Sequence, residues 1–264
     1  MHAHVTPPPV AKRRFSLAFS LVELSIVLVI LGLLIGGVLS GQSLIRAAQL
    51  RAVVSEYQSF VTGARSFRDR YFMAAGDLSN ATSFWTTGTV SGNGDGVLNN
   101  ASAVNVTGEI FQFWNQLALA GLITGTYTGL NGPSASGGTG FDNIPGTNSP
   151  KSKWGDAGWG LRNFGIYAGD TLTYAMDYGT FMALGARFAG NVPFTATFKP
   201  EEVWNIDTKI DDGKPGQGKV IGMSNAAWGS ASACTTSTGN TDYVGNYNLS
   251  SSTIGCSLYM PQAF

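Results

Sequence analysis

The stretch AFSLVELSIVLVILGLLIGGVLSGQSLI, residues 18–45, decides the architecture of this chain. From Leu24 to Ile45 it holds 22 residues without a formal charge. At about 1.5 Å of rise per residue, a helix of that length spans a bilayer core of about 30 Å. Lys12–Arg14 lies just upstream, and basic residues beside a membrane helix favour the cytoplasmic side. The sequence therefore predicts one membrane-spanning helix with its N-terminus in the cytoplasm.

Glu23 lies at the start of this apolar run. A carboxylate at bilayer depth is costly and needs a partner or a function. If Glu23 has no function, the segment is an ordinary single-pass membrane anchor that happens to contain a glutamate. A secretory signal peptide is disfavoured, because it is cut beyond its apolar region and does not normally carry a carboxylate in its apolar core.

The order of these features, a basic leader, Ala18, Phe19, Glu23 and a long apolar helix, resembles the N-terminus of type IV prepilins and type II secretion pseudopilins. The resemblance implies cleavage by a prepilin peptidase between Ala18 and Phe19 and N-methylation of Phe19. It places Glu23 fifth in the mature chain and implies that this carboxylate pairs with the α-amine of Phe19 on a neighbouring subunit. The family usually has glycine where this chain has Ala18, so we expect slower cleavage rather than none.

Composition indicates an exported, non-catalytic chain. The 16 basic residues equal the 16 acidic ones, and removing residues 1–18, with their three basic residues, leaves 13 basic against 16 acidic. No basic patch follows the leader, which argues against nucleic acid as a partner. Both histidines, His2 and His4, lie in the leader, so the mature chain lacks the usual general base and metal ligand. The sequence thus predicts that the protein is not an enzyme.

The apolar helix is predicted to continue into water as an amphipathic segment that ends at Gly76 or Asp77. The predicted fold is α+β, a pilin-like lollipop in which one long N-terminal helix, half transmembrane and half amphipathic, packs on an antiparallel β-sheet head. We divide the chain into a leader at 1–18, a transmembrane and assembly helix at 19–45, and the amphipathic helix plus periplasmic head at 46–264. The apolar stripe recurs at three- and four-residue steps: Val53, Tyr57, Phe60, Ala64, Phe67 and Tyr71.

Within the head, two short helices are predicted. The first covers 109–120, with Thr107 as its cap and Gly121 as its stop, and the second opens at Pro200 with acids in its first turn. Alternating apolar residues predict strands within 160–198, including 171–176, and a final strand at 219–223. The Gly-, Ser-, Thr- and Pro-rich segment 125–153 is predicted to be an exposed loop.

Two cysteines, Cys234 and Cys256, lie near the C-terminus. An even pair in an exported chain predicts a disulfide, which would close a loop of about 20 residues and stabilise the fold by roughly 3 kcal/mol in the chain-entropy model. The alternative is a pair of buried thiols. The resemblance agrees with a disulfide, since many pilins carry one in this region.

Two oxygen-rich segments are candidates for calcium. In Ser91–Asn99, Asn93 and Asp95 match the interior of a calcium loop, but serine stands at the first and twelfth ligand positions, Ser91 and Ser102. A glycine-rich turn is the alternative reading of this segment. The second candidate is a group of three aspartates that would otherwise be a solvated helix end: Asp207, Asp211 and Asp212.

Three tryptophans, Trp154, Trp159 and Trp204, could form a sugar-binding surface. Tryptophans in a domain of this size more often lie in the core, so we predict the core role.

The expected function is that of a structural subunit, a pilin or pseudopilin, of a type IV pilus or a type II secretion pseudopilus. Its expected partners are the prepilin peptidase, other subunits of the filament and the lipid of the inner membrane. The expected location is the inner membrane, single-pass, with a periplasmic head, and then the assembled filament. The alternative is a membrane- or tip-anchored binding protein, such as a calcium-dependent adhesin, and a membrane-anchored hydrolase is disfavoured by the missing histidines.

Overall fold

The computed structural model describes residues 20–101, 103, 105–134, 141–224, 228–230 and 233–264. The predicted cleavage site, Ala18 and Phe19, lies outside the described residues. Contacts divide the chain into two compact units, with the boundary between Arg46 and Ala47.

The N-terminal helix α1 runs from Leu21 to Tyr71. Every large apolar side chain between Leu21 and Ile45 is exposed. Among the described residues, α1 is the one helix long and apolar enough to cross a membrane. By length and composition, the first part of α1 could therefore span a membrane.

The end of α1 differs from the prediction, which placed it at Gly76 or Asp77. The helix stops at Tyr71, because Phe72 adopts a left-handed conformation with φ of 60°. The Phe72 amide donates a 2.7 Å hydrogen bond to the carbonyl of Arg68 and closes the last turn. A left-handed residue usually ends a helix as glycine, so a phenylalanine in this position gives no signal in the sequence.

The second unit combines short helices with an antiparallel sheet, so the α+β class is confirmed. The described helices are α2 (Ala81–Phe84), α3 (Glu109–Leu119) and α4 (Pro200–Ile210). The described strands are β1 (Ala157–Tyr167), β2 (Met176–Ala186), β3 (Ile221–Ser224) and β4 (Cys256–Pro261), in the order β1-β2-β4-β3.

The second half of α1 buries the predicted stripe. Val53, Tyr57, Phe60, Ala64 and Phe67 are all buried, and each large side chain contributes roughly 1.5–3 kcal/mol when it leaves water. Phe60 makes edge-on ring contacts with Trp114 of α3, at 5.1 Å between centroids, and with Trp159 of β1, at 5.4 Å. The stripe is thus the core face of the helix.

The sheet is covered on both faces. The α1 stripe belongs to a cluster with Trp159, Leu184 and Leu258 on one face. The other face forms a second cluster that includes Phe181 and Tyr259. Because every residue of β4 is buried, this strand lacks the alternation by which strands are recognised, and the sequence missed it. The strand predicted as final, at 219–223, is β3 and lies at the sheet edge.

The helices α3 and α4 lie where the sequence predicted them. Gly121, with φ of 71°, follows α3 as its predicted stop. The cap of α3 is Gly108 rather than Thr107, because Thr107 is drawn into a bridge with Leu130. In α4, the Glu202 carboxylate accepts a 2.8 Å hydrogen bond from the amide of the N-cap residue, Lys199.

One other prediction in the head was wrong, and a second was correct only in part. The segment 171–176 connects β1 to β2, and only Met176 belongs to a strand. The segment 125–153, of which 135–140 lie outside the described residues, holds no named helix or strand, as predicted, but it is only partly exposed, because several of its polar side chains are buried and hydrogen bonded to backbone. Asp142, for example, accepts hydrogen bonds from the amides of Ser134 and Gly190, at 3.0 and 2.9 Å.

Candidate functional site

The first turn of α1 places the Glu23 carboxylate at the helix N-terminus. Its Oε2 accepts a 2.8 Å hydrogen bond from the Ser20 amide, and the Ser20 hydroxyl accepts one of 3.3 Å from the Val22 amide. The two side chains thus form the reciprocal cap of a Ser-x-x-Glu pattern. A carboxylate here also faces the positive end of the helix dipole. This cap was not among the features predicted from the sequence.

Apart from this cap, the side chains around Glu23 in the sequence are mostly apolar and exposed. Its neighbours Val22 and Leu24 are 61% and 56% exposed. Four glycines follow in the same helix, and a Cβ added at any of them would meet nothing within 4 Å: Gly32, Gly36, Gly37 and Gly41. This part of α1 is therefore free to contact lipid or other helices along its whole circumference.

The disulfide between Cys234 and Cys256 is present, as predicted. Both cysteines are fully buried, their Cα atoms are 5.0 Å apart and they lie 22 residues apart in sequence. Cys256 is the first residue of β4, whereas Cys234 belongs to the segment that follows β3. The disulfide therefore ties this segment to a central strand of the sheet.

The loop 91–99 brings together three carboxylates, of which the sequence identified only Asp95. Candidate ligand oxygens of Asp77, Asp95 and Glu109 lie within 4.8 Å of one another. Asp77 accepts hydrogen bonds from the amides of Gly94 and Gly96, at 2.6 and 2.9 Å. The side-chain amide of Asn93, the other predicted residue, donates a hydrogen bond to the Asp95 carboxylate. Its side-chain oxygen accepts one from the Asp95 amide.

The charge state of Asp95 is set by its own turn. Hydrogen bonds from the Val97 amide and the Asn93 side chain lower the pKa of this exposed carboxyl. Glu109, from the start of α3, accepts hydrogen bonds from the amides of Asn93 and Asn99, at 2.8 and 2.9 Å. Backbone N–H groups already donate hydrogen bonds to these carboxylates, so the loop is stabilised as a hydrogen-bonded turn. Calcium binding by the loop stays a hypothesis.

The second predicted group, Asp207, Asp211 and Asp212, is also brought together within 4.8 Å at the end of α4. Asp207 is fully buried and accepts a 2.8 Å hydrogen bond from the hydroxyl of Tyr247, which lies inside the disulfide-closed segment. Burial raises the pKa of Asp207 to about 7. The predicted solvated helix end is therefore correct for the exposed Asp212 but wrong for Asp207.

Two of the three tryptophans considered for sugar binding are core residues. Trp159 is fully buried, and Trp154, 6% exposed, donates a 3.1 Å hydrogen bond to the carbonyl of Thr197. Trp204 remains partly exposed, at 39%. These three side chains do not form one exposed aromatic surface.

No family model, no curated protein and no solved structure matches this chain.

Proposed function

We propose that this protein is a structural subunit of a membrane-derived filament, a type IV pilus or a type II secretion pseudopilus. The observation that carries the proposal is the first part of α1, where large apolar side chains are exposed on all sides behind a single carboxylate, Glu23. Such a surface is stable in lipid or among similar helices, and a subunit that moves from membrane to filament uses both environments in turn.

Glu23 has a direct role in this proposal. When the helix leaves the membrane and enters a bundle of like helices, the carboxylate needs a cation. The α-amine created at Phe19 by cleavage after Ala18 supplies one on a neighbouring subunit. A buried ion pair of this kind sets register more reliably than it adds stability, which suits the addition of subunits one at a time.

The proposal includes processing and topology. A prepilin peptidase would cleave between Ala18 and Phe19, and the basic residues Lys12–Arg14 would hold the leader in the cytoplasm. The head would then lie in the periplasm, where the disulfide between Cys234 and Cys256 can form.

The two glycine pairs spaced by four residues, Gly32 with Gly36 and Gly37 with Gly41, would let neighbouring helices approach closely.

The processing step is tested by N-terminal sequencing and intact mass of the protein from cells with and without a functional prepilin peptidase. We expect a chain that begins at Phe19, is heavier by one methyl group and disappears without the peptidase. A chain that still begins at Met1 in normal cells, or that is cut beyond Ile45, would contradict the proposal.

The assembly step is tested with Glu23→Gln, which keeps the shape of the side chain and removes its charge. We expect cleavage to continue while incorporation into filaments fails. Ser25→Ala is the matched control, since the Ser25 hydroxyl bonds only the Val22 carbonyl in the same turn. Normal assembly of the Glu23→Gln variant would contradict the role given to this carboxylate.

A filament-tip or membrane-anchored binding protein is the second candidate. It is favoured by the exposed aromatic side chains where α1 ends, Phe72 at 88% and Phe84 at 53% exposure. Abundance separates the two candidates, because a scaffold subunit occurs along the whole filament and a tip protein is rare. Quantitative mass spectrometry of purified filaments measures this ratio.

A further inference from the structure

A cavity of about 250 Å³ opens on the second unit, between the second half of α1, the end of α4 and the residues after β4. Three cationic side chains line it, Arg65 from α1, Lys209 from α4 and Lys219 from the segment before β3. Three sequence-distant elements thus converge on one positively charged pocket, here called the cationic pocket.

None of these three side chains has a hydrogen-bond or ion-pair partner within the described ranges. The carboxylate of Asp211 accepts a hydrogen bond from the backbone amide of Lys219. The three cations are exposed to solvent, and Asp211, whose charge reaches Tyr57, offsets them only in part.

Tyr57 adds a neutral donor to the cationic pocket. Its side chain is only 7% exposed, it lines the cavity, and its hydroxyl has no hydrogen-bond partner among the described residues. Burial raises the pKa of Tyr57, an effect that the charge of Arg65 opposes and that of Asp211 strengthens, so at neutral pH the hydroxyl is a hydrogen-bond donor. Because Tyr57 lines the cavity, a carboxylate placed there can accept a hydrogen bond from its hydroxyl.

The volume of the cationic pocket and the groups that line it indicate which kind of ligand fits. At about 250 Å³ it is smaller than the usual 300–1,000 Å³ of a small-molecule site. A guanidinium, two ammonium groups and a phenol together suit a carboxylate, which accepts several charge-assisted hydrogen bonds at once.

We propose that the cationic pocket receives a carboxylate side chain from a second copy of this chain. The inference rests on the proposed function, since a filament brings many heads together. Two exposed carboxylates, Asp69 on α1 and Glu201 on α4, have no side-chain hydrogen bond or ion pair in the described part of the chain, and they are the acceptors that the second copy offers.

A carbodiimide tests the contact directly, because it joins a lysine amine to a carboxylate only when the two touch. Full-length protein in assembled filaments, made from a mixture of isotope-labelled and unlabelled chains, is treated and the dimers are mapped by mass spectrometry. We expect mixed-isotope links from Lys209 or Lys219 to Asp69 or Glu201. The double variant Lys209→Gln with Lys219→Gln should lower the dimer yield several-fold.

The matched control is Lys214→Gln, because Lys214 binds Asn246 and does not line the pocket. A charge reversal gives a second readout: Arg65→Glu should reduce assembly, and Asp69→Arg or Glu201→Arg in the same chain should restore it. The melting temperature of each variant checks that the head is folded.

The outcomes separate this inference from the function on which it rests. The proposed role of the cationic pocket would be overturned if the double lysine variant formed filaments normally and if the cross-links in the original chain avoided both lysines. The proposed filament function would be unaffected by that result. A chain that is neither processed nor able to self-associate would overturn both.

Discussion

The indole nitrogen of Trp159 donates a 2.8 Å hydrogen bond to the carboxylate of Glu56. The same carboxylate accepts hydrogen bonds from the Ser152 hydroxyl and the Lys153 amide, both at 2.8 Å. Glu56 on α1 therefore anchors both the first strand of the sheet and the segment that leads into it. In the sequence Glu56 is only a charge beside the apolar stripe, so its structural role was not predicted.

Replacing Glu56 with alanine should destabilise the head by about 3 kcal/mol, because a buried indole N–H and two further donors lose a charged acceptor. For a domain of this size that loss lowers the melting temperature by about 6–12 °C. The measurement is tryptophan fluorescence of the detergent-solubilised chain during heating. Asp156→Asn is the control, since its pairing with Lys151 is exposed and a surface substitution changes stability by at most about 0.5 kcal/mol. Equal melting temperatures for the two variants would contradict the anchoring role.

Loss of the disulfide should destabilise the head by roughly 2–5 kcal/mol. The test is the double variant Cys234→Ala with Cys256→Ala, melted beside the original chain with and without a reductant. We expect the reductant to lower the melting temperature of the original chain and to leave that of the variant unchanged. A variant as stable as the original would show that packing alone holds β4 in place.

Asp207 should make stability depend on pH. Its pKa is raised from 3.8 in the unfolded chain to about 7 in the fold, so between these values the folded state binds more protons than the unfolded state. The contribution of Asp207 to the free energy of unfolding is therefore largest below pH 4 and is lost as pH rises through about 7. At 1.36 kcal/mol per pH unit, the loss is at most about 4 kcal/mol.

Asp207→Asn should remove this dependence while keeping an acceptor for the Tyr247 hydroxyl. We expect the variant to match the original near pH 4.5 and to be more stable at pH 8, in melting experiments with a chelator present. Asp212→Asn, at an exposed member of the same group, serves as the control. The prediction fails if the pH profiles of Asp207→Asn and the original chain coincide.

The loop 91–99 should depend on Asp77 more than on calcium. Asp77→Ala leaves the amides of Gly94 and Gly96 without an acceptor, and we expect a loss of about 2 kcal/mol that is equal in calcium and in a chelator. Melting curves of the original chain and of the Asp77→Ala variant, each recorded with calcium and with a chelator, measure this loss of stability. Stabilisation of the original chain by calcium, abolished by Asp95→Asn, would contradict the expectation and assign the metal to this loop.

Two glycines with positive φ form a matched pair. Gly121, with φ of 71°, has open space around it, so Gly121→Ala should cost only the backbone strain of about 1 kcal/mol. Gly76, with φ of 89°, would place a Cβ against the Glu109 carbonyl and 3.0 Å from the Phe113 amide, so Gly76→Ala should cost about 3 kcal/mol or more. Urea unfolding of both variants compares them, and a smaller loss at Gly76 would contradict the close contact with α3.

Features that depend on nearby residues were predictable. The stripe from Val53 to Phe67 follows the helical period, and the start of α4 at Pro200 follows from a proline and two acids in the first turn. Features that depend on distant residues were not. Phe72 takes a glycine-like conformation that its residue type does not signal, and β4 is buried because it pairs with β2 and β3 between the two core clusters.

The sequence by itself determined that the chain has an apolar helix fit for a bilayer, an amphipathic continuation, an α+β head and a cysteine pair, because periodicity, length and composition encode these locally. Only the tertiary structure decided which polar groups meet. It brought Glu56 into hydrogen-bond contact with Trp159, and the buried Asp207 into hydrogen-bond contact with Tyr247. It also brought Arg65, Lys209 and Lys219 around one cavity. Such contacts join residues far apart in the chain, and their energies depend on burial that no local pattern records.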